Sequence, residues 1–262
     1  MAAEALVVDG YLSTEFNDNI GFAERQNDQE SDWVASTGLR VSRNIVLPGR
    51  TAIQLVGAAD YRQFREFDDL NRLALSAAAR YVWQPGLDYT SPWFDLVAEV
   101  RDENFRDSDI REGVALVAGF STGQRLTDRL EIVSTYRYTD FDPDEGEIFD
   151  TGQHRLMSRV ELKMPFDGVI YAAASLVSGD LVSSGSGEPT IIAAAAELGP
   201  DKALRTSAWQ LDGVSREIEL GFSLPMAERF SLDVSVAHTD ATATSSIDYR
   251  QNRVQATLLS RF

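Results

Sequence analysis

Leu73-Ala74-Leu75-Ser76-Ala77-Ala78-Ala79-Arg80-Tyr81-Val82-Trp83 is the stretch that decides the fold. Its larger apolar and aromatic residues stand at every second position, which is typical of a β-strand with one apolar face and excludes an amphipathic helix. Strands of soluble proteins usually have about five or six residues, whereas a tilted strand needs about ten to cross a bilayer. The run therefore predicts one membrane-length strand.

Comparable runs recur about every twenty residues along the whole chain. We predict twelve strands, at 4–16, 32–46, 51–64, 71–84, 92–102, 111–122, 129–140, 153–164, 168–178, 209–224, 229–240 and 248–262. Compact turns, such as 47–50, 84–87, 165–168 and 225–228, alternate with longer acidic segments, such as 17–31, 141–152 and 179–208. This asymmetry is that of membrane barrels, whose short turns are periplasmic.

The fold class is therefore all-β, as a transmembrane antiparallel up-and-down β-barrel of about twelve strands. Its short turns are predicted to be periplasmic and its longer acidic loops extracellular, and residues 1–262 are predicted to form a single domain. A soluble β-sandwich or a lipocalin-like barrel stays open as the competing fold. Strands of about twice the usual soluble length favour the membrane barrel.

Composition is compatible with this fold. No run of about eighteen apolar residues occurs, and the mean hydropathy of -0.21 suits strands that alternate apolar and polar residues. The absence of cysteine excludes disulfides and thiolate metal sites, and we predict no cofactor. A net charge of -17 argues against nucleic acid as a partner. The start, Met1-Ala2-Ala3-Glu4-Ala5, is expected to be that of a mature chain with its signal peptide removed.

Aromatic residues are expected to form two interfacial bands. The loop-end band comprises Trp33, Tyr61, Tyr136 and Tyr138, and the turn-end band comprises Trp83, Phe94, Phe120, Phe230 and Phe262. The last strand alternates Val254, Ala256, Leu258, Ser260 and Phe262, and here the chain resembles Gram-negative outer-membrane barrel proteins. The resemblance implies an outer-membrane location among lipid and lipopolysaccharide. It also implies that Phe262 belongs to the signal read by the barrel assembly machinery.

A second resemblance lies near the start of the chain. Gly10-Tyr11-Leu12 followed by Phe16-Asn17-Asp18-Asn19-Ile20 resembles the first strand and loop of porins encoded beside exopolysaccharide-export systems. Those porins are usually longer. The resemblance implies a role in the passage of saccharides or exopolymers.

Charged residues fall on the strand face opposite to the apolar one, which predicts that they line the interior. The predicted lining is Arg40, Arg62, Arg72, Arg80, Asp95, Glu99, Arg101, Glu131, Arg137, Arg155, Arg159, Glu161, Glu217, Glu219, Asp233 and Arg253, together with Asp9, Glu15, Asp60 and Lys163. Charges on this wall must be paired or hydrated, because burying an isolated charge costs several kcal/mol. A hydrated charged wall predicts a passive, porin-like channel for small hydrophilic solutes.

Other functions stay open. Ion pairs across the interior would instead make a plugged structural or partner-binding barrel with acidic surface loops. A lipid hydrolase is disfavoured, because the outer-membrane phospholipase pattern of a histidine and a serine two apart is missing. His154 and Ser158 share a face about 13 Å apart, and His238 is expected on the outer face. Because these histidine and serine positions do not fit a hydrolase, we predict no enzymatic activity. An autotransporter translocator is a further alternative, and it would need a helix ahead of its first strand.

Two loop segments are less regular. Asp140, Asp142, Asp144 and Glu147 resemble the opening of an EF-hand calcium loop, although Gly146 comes one place late and Pro143 intervenes. They are a candidate metal site, beside the simpler interpretation of a solvated loop. Residues 179–208 are expected to form a surface loop or to fold over the mouth, and 190–196 to form a short helix or an added strand pair.

Overall fold

A computed structural model describes residues 6–186, 195–244 and 247–262. The predicted strand at 4–16, the start of the chain and the pattern at 190–196 therefore lie partly outside the described residues. The strands are β1 (Leu6–Asn17), β2 (Asp32–Leu47), β3 (Thr51–Phe64), β4 (Arg72–Trp83), β5 (Trp93–Phe105), β6 (Gly113–Arg125), β7 (Leu130–Pro143), β8 (Thr151–Lys163), β9 (Val169–Gly185), β10 (Glu197–Asp201), β11 (Thr206–Ala227), β12 (Phe230–Ala243) and β13 (Ile247–Arg261).

Twelve of these strands close into one antiparallel barrel. Each strand from β1 to β8 pairs with the next, β9 pairs with β11, and β11 leads through β12 and β13 back to β1. Closure leaves no membrane-facing sheet edge, as the bilayer demands. The all-β, up-and-down, twelve-stranded prediction is confirmed. The short strand β10 pairs only with the loop-end half of β11 and stands outside the barrel wall.

Strand register separates an outer apolar face from an inner polar one. On β4, Leu73, Leu75, Tyr81 and Trp83 are exposed on the outer surface, as lipid-facing residues would be, while Ala74 between them is buried. At the turn end of this surface Trp83 stacks on Phe94 at 5.3 Å, and Phe94 on Phe120 at 6.1 Å. These rings form a continuous band on the outside of the barrel.

Connections at the two ends differ in kind. Positive-φ residues shape two tight turns, with Gly49 at 80° and Asp167 at 60°. Three short 3-10 turns, at 26–28, 68–70 and 109–111, lie in loops at the opposite end. In the part of the chain that is described, no helix is long and apolar enough to cross a membrane.

The segment 179–208 differs from the expected surface loop. Residues up to 185 continue β9, residues from 206 begin β11, and β10 lies between them. The continuing ladder satisfies backbone groups that a loop of this length would expose. The added strand agrees with a hairpin folded over the mouth.

Candidate functional site: the barrel interior and its mouth

Register places all twenty residues of the predicted lining on the inner face of the wall. Directly opposed pairs include Arg40 with Asp9, Arg137 with Arg155, and Glu131 with Glu161. Side chains of opposed residues share one face of a sheet. The inward-facing charges therefore form one continuous surface around the interior.

Ion pairs on this surface run along the wall. Arg72 on β4 bridges Asp60 on β3 at 3.2 Å and Glu103 on β5 at 2.8 Å. Arg62 reaches Glu15 at 3.4 Å across the intervening strand β2. Among the described strands, no inward ion pair joins strands more than two places apart on the wall. The charges coat the interior and are not locked across it.

Glu217 on β11 is a junction in this network. It accepts hydrogen bonds from Arg155 on β8, at 2.9 Å, and from Arg253 on β13. The three side chains border a polar cavity of about 180 Å³, which Glu15 and Glu219 also line. One carboxylate thus serves two guanidinium groups, and the cavity presents three carboxylates and two guanidinium groups to its interior.

Tyr171 organises the neighbouring acidic part of the wall. Its hydroxyl lies 2.9 Å from Asp233 and 3.3 Å from Glu219, and the Arg159 guanidinium lies 3.6 Å from its ring centre. Gly221 stands opposite on β11, where a side chain would collide with the ring. A tyrosine and a glycine that the sequence did not single out therefore position two predicted lining carboxylates.

Two inward arginines lack an acidic partner among the described residues. Arg40 and Arg137 form no ion pair there, and the Arg40 Nε is buried without a hydrogen-bond partner. At the turn end, Arg40 borders a wider cavity of about 660 Å³, together with Asp9, Tyr11 and Asp60. The interior thus combines a narrow polar middle with a wider cavity towards the turns.

The opposite end of the barrel is covered by a lid, which we define as residues 180–186 and 195–212. β9 and β11 leave the wall at Gly179 and Gly213, which face each other across the two strands. β8 stops pairing with β9 at Gly179, and β12 stops pairing with β11 at Gly213. Above this point the lid continues as an extension of β9 and β11.

One buried ion pair fixes the tip of the lid. Asp201, fully buried at the end of β10, accepts hydrogen bonds from both terminal nitrogens of Arg111, one at 2.8 Å, and from Ser184 at 2.6 Å. Burial by itself would raise the pKa of the Asp201 carboxyl, but Arg111, Ser184 and the Leu204 N–H hold that pKa below its usual value. The carboxylate is therefore charged at neutral pH.

Apolar residues complete the closure. Ala203 and Leu204 at the tip pack with Leu70, and with the partly buried Ile20, Phe64 and Phe67 from other loops. Between β11 and β4 five wall strands intervene, and between β11 and β3 four, so this contact crosses the mouth. The lid therefore spans the opening from one wall to the other.

The first loop supports the lid from below. Phe22 stacks on Tyr249 at 5.1 Å and 20°, within a cluster that contains Trp209 and Leu211 of the lid. Buried Asn19 shapes this loop: its side chain accepts the Ala23 N–H at 2.7 Å and donates to the Ala23 carbonyl at 2.8 Å. The resemblance noted at 16–20 thus falls on a segment that supports the closed mouth.

Among the described residues, neither histidine forms a hydrogen bond with a serine. His154 lies on the outer face with its Nδ1 2.8 Å from the Tyr136 hydroxyl, while Ser158 bonds Ser134 at 3.0 Å. His238 is held between Asn252, at 2.7 Å, and Asp240, at 2.9 Å. The position two residues after it is an aspartate, so neither histidine has a serine nucleophile beside it.

The candidate calcium loop is not assembled into a metal site. Asp140 and Asp142 belong to strand β7, and the Asp140 carboxylate accepts a hydrogen bond from Tyr138 at 3.1 Å. No three histidine or acidic side chains of the described chain converge as metal ligands. Asp144 and Glu147 follow in the loop, so two of the four carboxylates lie on the strand and two in the loop.

Several important residues were not singled out by sequence reasoning. Glu103 was missed because the predicted strand ended at 102, three residues before the observed end of β5 at Phe105. The ion pair of Arg111 with Asp201 and the facing glycines 179 and 213 carry no local signal, because their role depends on partners far away in the chain. The expected interior charges were recognised because alternation within each strand reports them directly.

Comparisons with known proteins find similarity in structure alone. No family model and no curated protein matches the chain. The COG4313 outer membrane channel from Pseudomonas putida F1 superposes with a TM-score of 0.65 at 8% identity, over 100% of this chain and 97% of that one. Outer membrane phospholipase A from Escherichia coli superposes with a TM-score of 0.51 at 10% identity, over 96% of this chain and 92% of that one. The KdgM porin superposes with a TM-score of 0.49 at 9% identity, over 97% of this chain and 99% of that one. The chain has the closed, porin-like barrel fold of outer-membrane proteins.

Proposed function

We propose that this protein is an outer-membrane channel through which small hydrophilic solutes pass passively. The observation that carries the proposal is the arrangement of the inner charges, which pair along the wall and leave a polar cavity between them. Hydrated charges close to a permeating solute bear on its selection, as in other pores. The superposition on an outer-membrane channel supports the fold on which this function depends.

Saccharides and exopolymer fragments in export are the solute class that we propose. The narrow cavity presents arginine donors and carboxylate acceptors within reach of one another, around Arg155, Glu217 and Arg253. A sugar hydroxyl both donates and accepts hydrogen bonds, so it matches such a wall at neighbouring positions. The resemblance of the first strand and loop to porins beside exopolysaccharide-export systems favours the same class.

The same proposal implies that the protein lies in an outer membrane and is inserted by the barrel assembly machinery. The outer aromatic residues, including Trp33 and Trp83, would lie at the two lipid interfaces, with lipopolysaccharide around the loop end of a Gram-negative outer membrane. Phe262 ends the chain, exposed, with its N–H bonded to the Val8 carbonyl at 2.9 Å. We propose that it takes part in recognition by the barrel assembly machinery.

The closed mouth favours a second candidate, a structural or partner-binding barrel. In that function the lid would be a permanent cap, and the acidic loops around it would contact envelope components. The two candidates differ in whether solutes cross the barrel.

Single-channel recording of the refolded full chain in a planar bilayer tests the proposal. We expect discrete open steps, an ion preference under cation and anion gradients, and block by added oligosaccharides. Folding is checked in parallel by heat-modifiable migration in gels. A folded barrel that never conducts, even in the lid variants described below, would exclude the channel and leave the structural candidate.

A further inference from the structure

We infer that the lid is a gate, hinged at the facing pair Gly179 and Gly213 and held shut by a latch formed by Arg111 and Asp201. This inference rests on the proposed channel function and adds a means of controlling it. The gate would regulate access at the loop end, while the wall beneath it would act on the solute.

The hinge follows from the backbone at the point where the lid leaves the wall. Gly179 has a φ of 129°, and a side chain there would collide with the Gly152 carbonyl. At Gly213 a Cβ atom would lie 2.9 Å from the Ala243 Cα. Two facing glycines let adjacent strands bend together without side-chain clashes, as glycines do at sharp bends in barrels. The bend aims the lid inward over the mouth.

The lid is joined to the wall differently from the strands of the barrel. Above the hinge, β9 no longer pairs with β8 and β11 no longer pairs with β12. The ladder of β9 with β11 stays within the lid, so a rigid movement about the hinge breaks none of its hydrogen bonds. The contacts that must break are those with the loops: the Arg111 latch, the Leu204 cluster, the packing of Phe22, and the hydrogen bonds of Ser183 and Ser184 to the first loop.

Among these contacts, the latch is the one that a change of charge can break. Asp201 is fully buried and Arg111 nearly so, and each is the other's charged partner. Removing one partner would leave the other charge buried and uncompensated, a strongly unfavourable state that opening relieves through hydration. Exposed ion pairs of the same loops contribute little, which makes the pair of Arg106 with Asp68 a matched control.

A reversible lock tests the gate in the closing direction. A Cβ atom at Gly185 would lie 3.4 Å from the Asp28 Cβ, near the separation found in disulfides, and the chain has no native cysteine. The double variant Gly185→Cys with Asp28→Cys should therefore fasten the lid to the first loop on oxidation. We expect the frequency of open steps to fall at least tenfold on oxidation of the double variant and to recover on reduction. Neither single variant should respond to oxidation or reduction.

Latch variants test the gate in the opening direction. Asp201→Asn and Arg111→Ala should raise open probability severalfold, whereas Arg106→Ala should leave it unchanged, with folding verified for each by heat-modifiable migration. Equal conductance with the disulfide formed and reduced would overturn the gate and leave the channel function intact. Silence of every folded variant, reduced or oxidised, would overturn the channel function itself.

Discussion

Arg137 and Arg155 face each other directly on β7 and β8, so that two like charges share one patch of the inner wall. Glu217 accepts a hydrogen bond from Arg155, but Arg137 has no acidic partner among the described residues. Directly opposed like charges are destabilising unless something compensates them. In the proposed channel, this patch attracts anions.

Replacing Arg137 should consequently weaken anion preference. For Arg137→Gln we expect the anion-to-cation permeability ratio to fall by roughly twofold to fivefold, because one unit charge 4 Å from an ion is worth about 1 kcal/mol in water. Reversal potentials under salt gradients measure this. Arg216→Gln removes the same charge from the outer face of β11 and should leave the ratio unchanged. Equal shifts in both variants would contradict the assignment of Arg137 to the conduction path.

Glu217 should matter for both stability and selectivity. Glu217→Gln removes the acceptor shared by Arg155 and Arg253, so we expect about 1–3 kcal/mol of destabilisation and a stronger preference for anions. Urea titration, followed by the intensity of the folded band in gels, measures the loss of stability. Reversal potentials measure the change in anion preference. Asp88→Asn, in the exposed turn between β4 and β5, is the control and should change neither. A stable variant with unchanged selectivity would show that this junction is not on the solute path.

Gly179 should tolerate substitution poorly. Gly179→Ala places a side chain against the Gly152 carbonyl at a φ of 129°, a backbone region that side chains rarely adopt, and strain of this kind costs about 1–3 kcal/mol. Gly57→Ala, on the outer face of β3 with nothing within 4 Å of its Cβ position, is the matched control. The midpoint of thermal unfolding should fall for the first variant only. Similar midpoints for both would remove the physical basis of the hinge.

The sequence predicted the barrel but not the contacts at its mouth, and the reason is physical. Alternation is a property of neighbouring residues, so it identifies each strand and the inward face of residues such as Arg80 and Glu99. The latch joins Arg111 to Asp201 across ninety positions, and Ser183 bonds Phe22 across 161. Contacts of that separation depend on the closed barrel bringing loops together. The end of β5 shows the smaller error, since Glu103 lies just outside the predicted strand and yet pairs with Arg72.

The latch should respond to pH only under acid conditions. Arg111 is the charged group that faces Asp201 from the loop after β5, and Ser184 and the Leu204 N–H are its other partners. Because these partners hold the pKa of Asp201 below the ordinary value of about 3.9, the carboxylate stabilises the closed lid fully above that value. This contribution is lost as the pH falls through the lowered pKa.

Open probability should therefore stay constant between about pH 5 and pH 8 and rise only below about pH 4. Bilayer recordings across this range measure it. Asp201→Asn carries no titrating group at this position, so its high open probability should lack the acid transition. A wild-type transition centred above pH 5 would mean that a group other than Asp201 controls the lid.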